Sequence, residues 1–190
     1  MDLNELQKNA AVCTDCSLHQ DRVVPVFAKG NFNADIMICG MCPGPDENKE
    51  DNVEGLPFIG KAGNLLDEML KDVNLSLEDV YITNLVKCFV RPGISLNENW
   101  ITHCVPYFVA QIKYVCPKVI IALGGDVSKF FLNKPVNTSV KQLRSTKGDY
   151  LGIPVVATYH PSHYTRGGNK EHKNYPKGVD DFQKAINIIS

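Results

Sequence analysis

A chain of 190 residues, 44% of them hydrophobic, can bury the core of one compact domain spanning 1–190 without disulfides. Its 20 basic and 21 acidic residues leave a net charge of −1, which excludes a global basic field, so any contact with DNA must be local. No run approaches the roughly 20 apolar residues that span a bilayer, and MDLNELQKNAAVCTDC lacks the cationic start and apolar middle of a secretion signal, so no membrane partner and a cytoplasmic location are expected. In that compartment seven cysteines argue for metal ligation or reactive thiols rather than a disulfide framework.

The patterning along the chain alternates between short apolar runs and amphipathic ones. Strands are expected at DIMIC (35–39), VYITN (80–84), KVIIAL (118–123) and IPVVATY (153–159). Between them, residues 61–73 place Leu65, Leu66, Met69, Leu70 and Val73 on one helical face. Residues 98–115 do the same with Ile101, Val105, Phe108, Val109 and Ile112. A short helix is expected after Gly125 and a last one over 179–189. Strands separated by helices imply an α/β fold: a three-layer α/β/α sandwich around a central, mainly parallel four-stranded sheet. Ligands of such a sheet bind beyond the carboxyl ends of its strands. Four loops fall there: GMCPG after the first strand, the turn at Asn84, LGGD after the third strand, and HPSHYTRGG after the fourth.

Cys13 and Cys16 form a CxxC, Cys88 follows the second strand, and Cys104 lies in the long helix after 15 intervening residues. Thiolates suit zinc or an iron–sulfur cluster, and four of them complete either site; spacing does not choose between the metals. By the plainer reading Cys104 is a helix core residue. Cys39 and Cys42 form a rival CxxC, but Cys39 sits in an apolar strand and reads as a small buried hydrophobe, as does Cys116.

Taken together, the N-terminal CxxC, a Gly-x-x-Pro-Gly loop, GLPFIGKAGNLLDEML, NLVKC, a further cysteine, PKVIIALGG and YHPSHYTRGG resemble the iron–sulfur (family-4) uracil-DNA glycosylases along nearly the whole chain. The resemblance implies a [4Fe-4S] cluster held by Cys13, Cys16, Cys88 and Cys104, structural in role. It also implies a monomer acting on DNA that contains uracil or a modified pyrimidine, with the base flipped into a pocket before its glycosidic bond is cut. Gly40, Phe58 and Asn84 fall at the base-binding positions. Phe58 can stack on a pyrimidine, and the Asn84 amide can read the Watson–Crick edge; their plainer readings are a core aromatic and a turn former. His160 can donate to the base as negative charge accumulates on it. Ser162, His163, Tyr164 and Arg166 resemble the loop that meets phosphates and enters the helix, and Lys87 is a further phosphate candidate.

The first loop departs from the family pattern. Gly-Glu-Ala-Pro-Gly, with a glutamate important for hydrolysis, is replaced by Gly40, Met41, Cys42, Pro43 and Gly44. Superfamily branches that read Gly-Met-Asn-Pro-Gly use the asparagine to position water, and here Cys42 stands in its place. Cleavage through a cationic sugar needs leaving-group stabilisation on one side and an oriented nucleophile on the other. Met41 and Cys42 therefore occupy a catalytic position without the usual carboxylate or amide. Three accounts are compatible with the sequence: acid supplied from Asp46, Glu47, Glu50 or Asp51, in a segment longer than the family spacing; a Cys42 thiolate, which requires a lowered thiol pKa; or a reader of flipped bases that no longer hydrolyses. The plainer reading of the acidic segment is a solvated loop.

Overall fold

A computed structural model describes residues 2–190. Helix α1 (Leu3–Val12) leads into strands β1 (Ala28–Gly30) and β2 (Ile36–Gly40), then α2 (Lys61–Asp72), β3 (Val80–Asn84) and α3 (Glu98–Val115). The second half runs β4 (Val119–Leu123), α4 (Gly125–Phe131), α5 (Val140–Leu143), β5 (Asp149–Tyr150), β6 (Ile153–Thr158), α6 (Ser162–Thr165) and α7 (Tyr175–Ile189). No helix of the described residues is long and apolar enough to cross a membrane.

The sheet has the order β1-β3-β2-β4-β6-β5. Its four central strands are the four expected from sequence, and all pair in parallel. β2, β3 and β4 are buried along their whole length, as continuous Val/Ile/Leu runs require when helices cover both faces. Two antiparallel edge strands extend the four-stranded expectation to six. They are three and two residues long and not fully buried, too short to carry an alternating pattern.

The two-residue period of the strands divides the core. Met37, Cys39, Tyr81, Ile120 and Ala122 face α1, α3 and α4, while Ile36, Ile38, Val80, Ile82, Val119 and Ile121 face α2 and α7. α1, which carries no strong periodicity, is started by Asp2, whose carboxylate accepts from the Glu5 backbone N–H at 2.7 Å. Asn97 caps α3 in the same way, accepting from Trp100 N at 2.9 Å. Cys116, expected to be buried, is instead exposed and takes the left-handed conformation that closes α3 (φ 51°). α7 begins at Tyr175, a turn earlier than expected, with Pro176 in its first turn.

Two links fix the ends of the sheet that matter for the site. Leu85 N donates to Gly40 O and Val86 N to Met41 O, both at 2.9 Å, so the loops leaving β2 and β3 continue side by side. Beneath β6, the buried Asp181 of α7 receives both Nε and Nη2 of Arg144. The Arg144 guanidinium also lies 5.2 Å from the ring of Tyr159, next to His160.

Candidate active site and cysteine centre

The carboxyl ends of β2, β3 and β6 enclose a cavity of about 270 Å³ lined by Cys42, Glu47, Phe58, Asn84, His160 and Ser162, among others. That volume lies just below the range of about 300–1,000 Å³ usual for small-molecule pockets, so it suits a single ring rather than an extended ligand.

Gly40 and Asn84 are register partners at the ends of β2 and β3. A Cβ at position 40 would stand 2.3 Å from Asn84 Oδ1 and 2.8 Å from Phe58 Cζ, so the bare backbone there is what lets the three converge. Asn84 is buried, and its Oδ1 has no hydrogen-bond partner. An uncompensated buried carbonyl oxygen is costly, and its natural complement is a donor brought by a ligand.

Phe58 adopts the left-handed conformation (φ 53°), unusual for an aromatic residue. Its carbonyl accepts from Lys29 Nζ at 2.9 Å. A Cβ at Gly63, in the first turn of α2, would lie 1.8 Å from that same oxygen. The lysine and the glycine thus hold the strained turn that aims the ring into the cavity, 5.8 Å from the His160 ring.

His160 follows β6. Its Nδ1 lies 2.8 Å from Ser162 Oγ and receives the Ser162 backbone N–H at 3.2 Å. A backbone N–H can only donate, so Nδ1 accepts and the ring proton resides on Nε2. Burial first, and then the nearby Arg166 cation, lowers the imidazole pKa to about 4. At neutral pH the ring is therefore an uncharged donor through Nε2.

Cys42 borders the cavity, but burial first, then the charges of Asp126 and Glu47, push its thiol up to about 11. The thiolate that a covalent mechanism needs is disfavoured at neutral pH. Met41 lines the adjoining larger groove with Arg91, Ile94 and Lys129 rather than this cavity, and packs against the core under α3 and α4. Of the four acids in the segment after Gly44, Glu47 turns inward and is buried, whereas Asp46, Glu50 and Asp51 are exposed.

The expected DNA contacts divide by burial. Arg166 is exposed, His163 is half-buried and stacked on Tyr159 at 4.8 Å, and Ser162 faces His160. Tyr164 is fully buried in the core between the sheet and α7, so it cannot meet a phosphate. Lys87 is a second correction. It is 2% exposed and donates to Thr83 Oγ1, Asn84 O and Gln111 Oε1, with burial lowering its pKa to about 8. Its place beside Cys88 reads as a surface position in sequence; the turn after β3 folds it under the sheet, where it braces the Asn84 backbone.

Cys13 caps the end of α1, Cys16 precedes a short 3-10 turn, and Cys88 and Cys104 are buried in a small satellite core with Leu18, Val86 and Val90. All four are free thiols. The Cys88 thiol feels the charges of Cys16 and Cys13, and the Cys104 thiol those of Cys88 and Cys16, so the four lie in one region of the fold. Arg22 Nη1 donates to Cys88 Sγ at 3.3 Å. Among the described residues no three His, Cys, Asp or Glu side chains close around a single metal ion. As soft donors, four thiolates have the chemistry that suits zinc or an iron–sulfur cluster.

Sequence reasoning did not single out Lys29 and Gly63, whose roles depend on a backbone conformation at Phe58. The signal for Glu47 was present as an acidic run, without any sign of which acid points inward.

A family model of the Uracil DNA glycosylase superfamily matches residues 27–188. The chain is 35% identical over 178 residues to a Type-4 uracil-DNA glycosylase of Thermotoga maritima, covering 93% of this chain and 89% of the relative. A Type-4 uracil-DNA glycosylase of Sulfurisphaera tokodaii is 35% identical over 167 residues, 84% of this chain and 74% of the relative. One from Pyrobaculum aerophilum is 34% identical over 169 residues, 85% and 84% respectively. With its parallel sheet and a ring-sized cavity at the carboxyl ends of the strands, the chain belongs to the uracil DNA glycosylase superfamily.

Proposed function

We propose that this protein is a monofunctional DNA glycosylase that binds an everted uracil and hydrolyses its N-glycosidic bond. The observation that carries the reading is the unpartnered Asn84 Oδ1 in a cavity shared with Phe58 and His160. Uracil presents a donor at N3 and an acceptor at O4, which match the carbonyl and amino groups of one asparagine side chain. Cytosine reverses both and leaves two mismatches.

In the bound state Phe58 stacks on the ring and Asn84 fixes its edge. The Nε2–H of the neutral His160 points at O2, where charge gathers as the C1′–N1 bond lengthens. Because the donor is uncharged, it stabilises the leaving anion without repelling the cationic sugar. Arg166, exposed beside the site, supplies local positive charge for a phosphate in a chain whose net charge is −1.

Cys13, Cys16, Cys88 and Cys104 would hold a [4Fe-4S] cluster that ties α1, the turn after β3 and α3 together, a structural cross-link with no step in the hydrolysis. The Arg22 guanidinium at Cys88 would offset part of its negative charge.

The test is incubation with a labelled oligonucleotide carrying one uracil, followed by alkali. Cleavage at the uracil position is expected, together with free uracil in the supernatant. Binding of uracil DNA without an abasic product would replace the enzyme with a base reader.

A further inference from the structure

We propose that Glu47 is the catalytic carboxylate of this site, taking over from the second loop turn the role that Met41 cannot fill from the first. The assignment rests on the glycosylase reading and adds the missing nucleophile side to it.

Four observations point to this residue. Glu47 is 8% exposed and lines the same cavity as Phe58, Asn84 and His160. Its Oε2 accepts from the Gly44 backbone N–H at 2.8 Å, which fixes the carboxylate against the GMCPG loop. The segment that carries it is folded rather than solvated: the buried Asn52 donates to Glu47 O at 2.8 Å and Leu56 O at 3.1 Å, and accepts from Leu56 N at 2.9 Å. Asp46 also lines the cavity, but its carboxylate is half-exposed and paired with Lys49 at 2.7 Å.

Among the described residues no cation lies within ion-pair distance of Glu47. Lys29 and Lys49 feel its charge from further off without pairing with it, which leaves the carboxylate free to face a positive charge arising in the cavity, and the oxocarbenium-like sugar is such a charge. The field of Glu47 already reaches Cys42, at the position where related loops organise water.

In the step, the oxygen of a water molecule bonds to C1′ as the C1′–N1 bond breaks. The electron pair of that bond leaves on uracil N1, while O2 of the departing anion is held by His160. The water proton passes to Glu47 and on to solvent, and the departing uracil anion takes up one proton from solvent, giving free uracil and an abasic sugar.

The experiment compares wild type, Glu47→Gln and, at an exposed acid outside the cavity, Glu50→Gln in single-turnover cleavage of a one-uracil oligonucleotide, and measures binding to the same oligonucleotide with a 2′-fluoro sugar that resists cleavage. Glutamine keeps an oxygen for the Gly44 N–H, so the loop is preserved. Glu47→Gln should cut the rate about 100-fold while binding stays within about threefold, and Glu50→Gln should stay within about threefold in both. A Glu47→Gln rate equal to wild type overturns the assignment, as does a rate loss matched by an equal loss of binding. Wild type that releases no uracil overturns the glycosylase reading and this one with it, which separates the two failures.

Discussion

Gly40 and Asn84 stand opposite each other at the ends of β2 and β3, and a methyl group on the former would come within 2.3 Å of the latter's Oδ1. The strand end is buried and Gly40 does not need a left-handed backbone, so alanine would fold there but displace the amide or the Phe58 ring. Gly40→Ala should lower uracil release about 100-fold, the usual consequence of misplacing a recognition group by about 1 Å. Unchanged circular dichroism with a lost rate would support this; an unchanged rate would contradict the close approach.

Asn84→Asp removes the amino group that meets O4 and adds a second acceptor. Uracil release should fall by about two orders of magnitude, and cytosine, whose N4 amino group can donate to the carboxylate, should gain relative to it. Parallel assays with uracil- and cytosine-containing oligonucleotides read the ratio. An unaltered ratio would mean that Asn84 does not face the base edge.

His160 has its pKa lowered from 6.5 to about 4 in the folded protein. The folded state therefore binds fewer protons than the unfolded chain between these values. Its neutral form contributes stability fully above about 6.5, and that contribution is lost as pH falls towards about 4. Uracil release should show no ionisation of this group between pH 6 and 8. Histidine NMR titration should leave one imidazole neutral down to about pH 4, and a midpoint near 6.5 for His160 would refute the buried neutral donor.

On the proposed cluster, Cys88→Ser should remove bound iron and the associated visible absorbance from anaerobically purified protein, and lower the melting temperature, because that cross-link between α1, the turn after β3 and α3 would be lost. Cys116→Ser, at the exposed end of α3, should change neither. Full iron content in Cys88→Ser would remove this residue from the ligand set.

Asp181→Ala leaves the largely buried Arg144 guanidinium without its partner. Such a change costs about 3 kcal/mol, which for a domain of this size is a fall of roughly 10 °C in Tm. Thermal melts followed by circular dichroism measure it. A shift of only a degree or two would show that solvent replaces the carboxylate.

Hydrophobic runs and helical periodicity were sufficient for the four parallel strands and for α2 and α3, because burial on both faces imposes a composition that a short window can display. The motifs at the strand ends likewise carried Phe58, Asn84 and His160, which the fold brings to one cavity, and Gly40, which stands close behind Asn84 and Phe58. The edge strands, of three and two residues, lay below the length at which any pattern registers. What only the tertiary structure decided was direction. Lys87 turns inward because the β3 turn tucks it under the sheet, and Tyr164 because α6 packs on the core. Glu47 is buried where Asp46 stays half-exposed and paired with Lys49, and Glu50 and Asp51 face water. Sequence spacing states which residue types are near one another along the chain, whereas burial and the hydrogen bonds that compensate it depend on segments far apart in sequence, and those contacts choose which of several similar side chains meets the ligand.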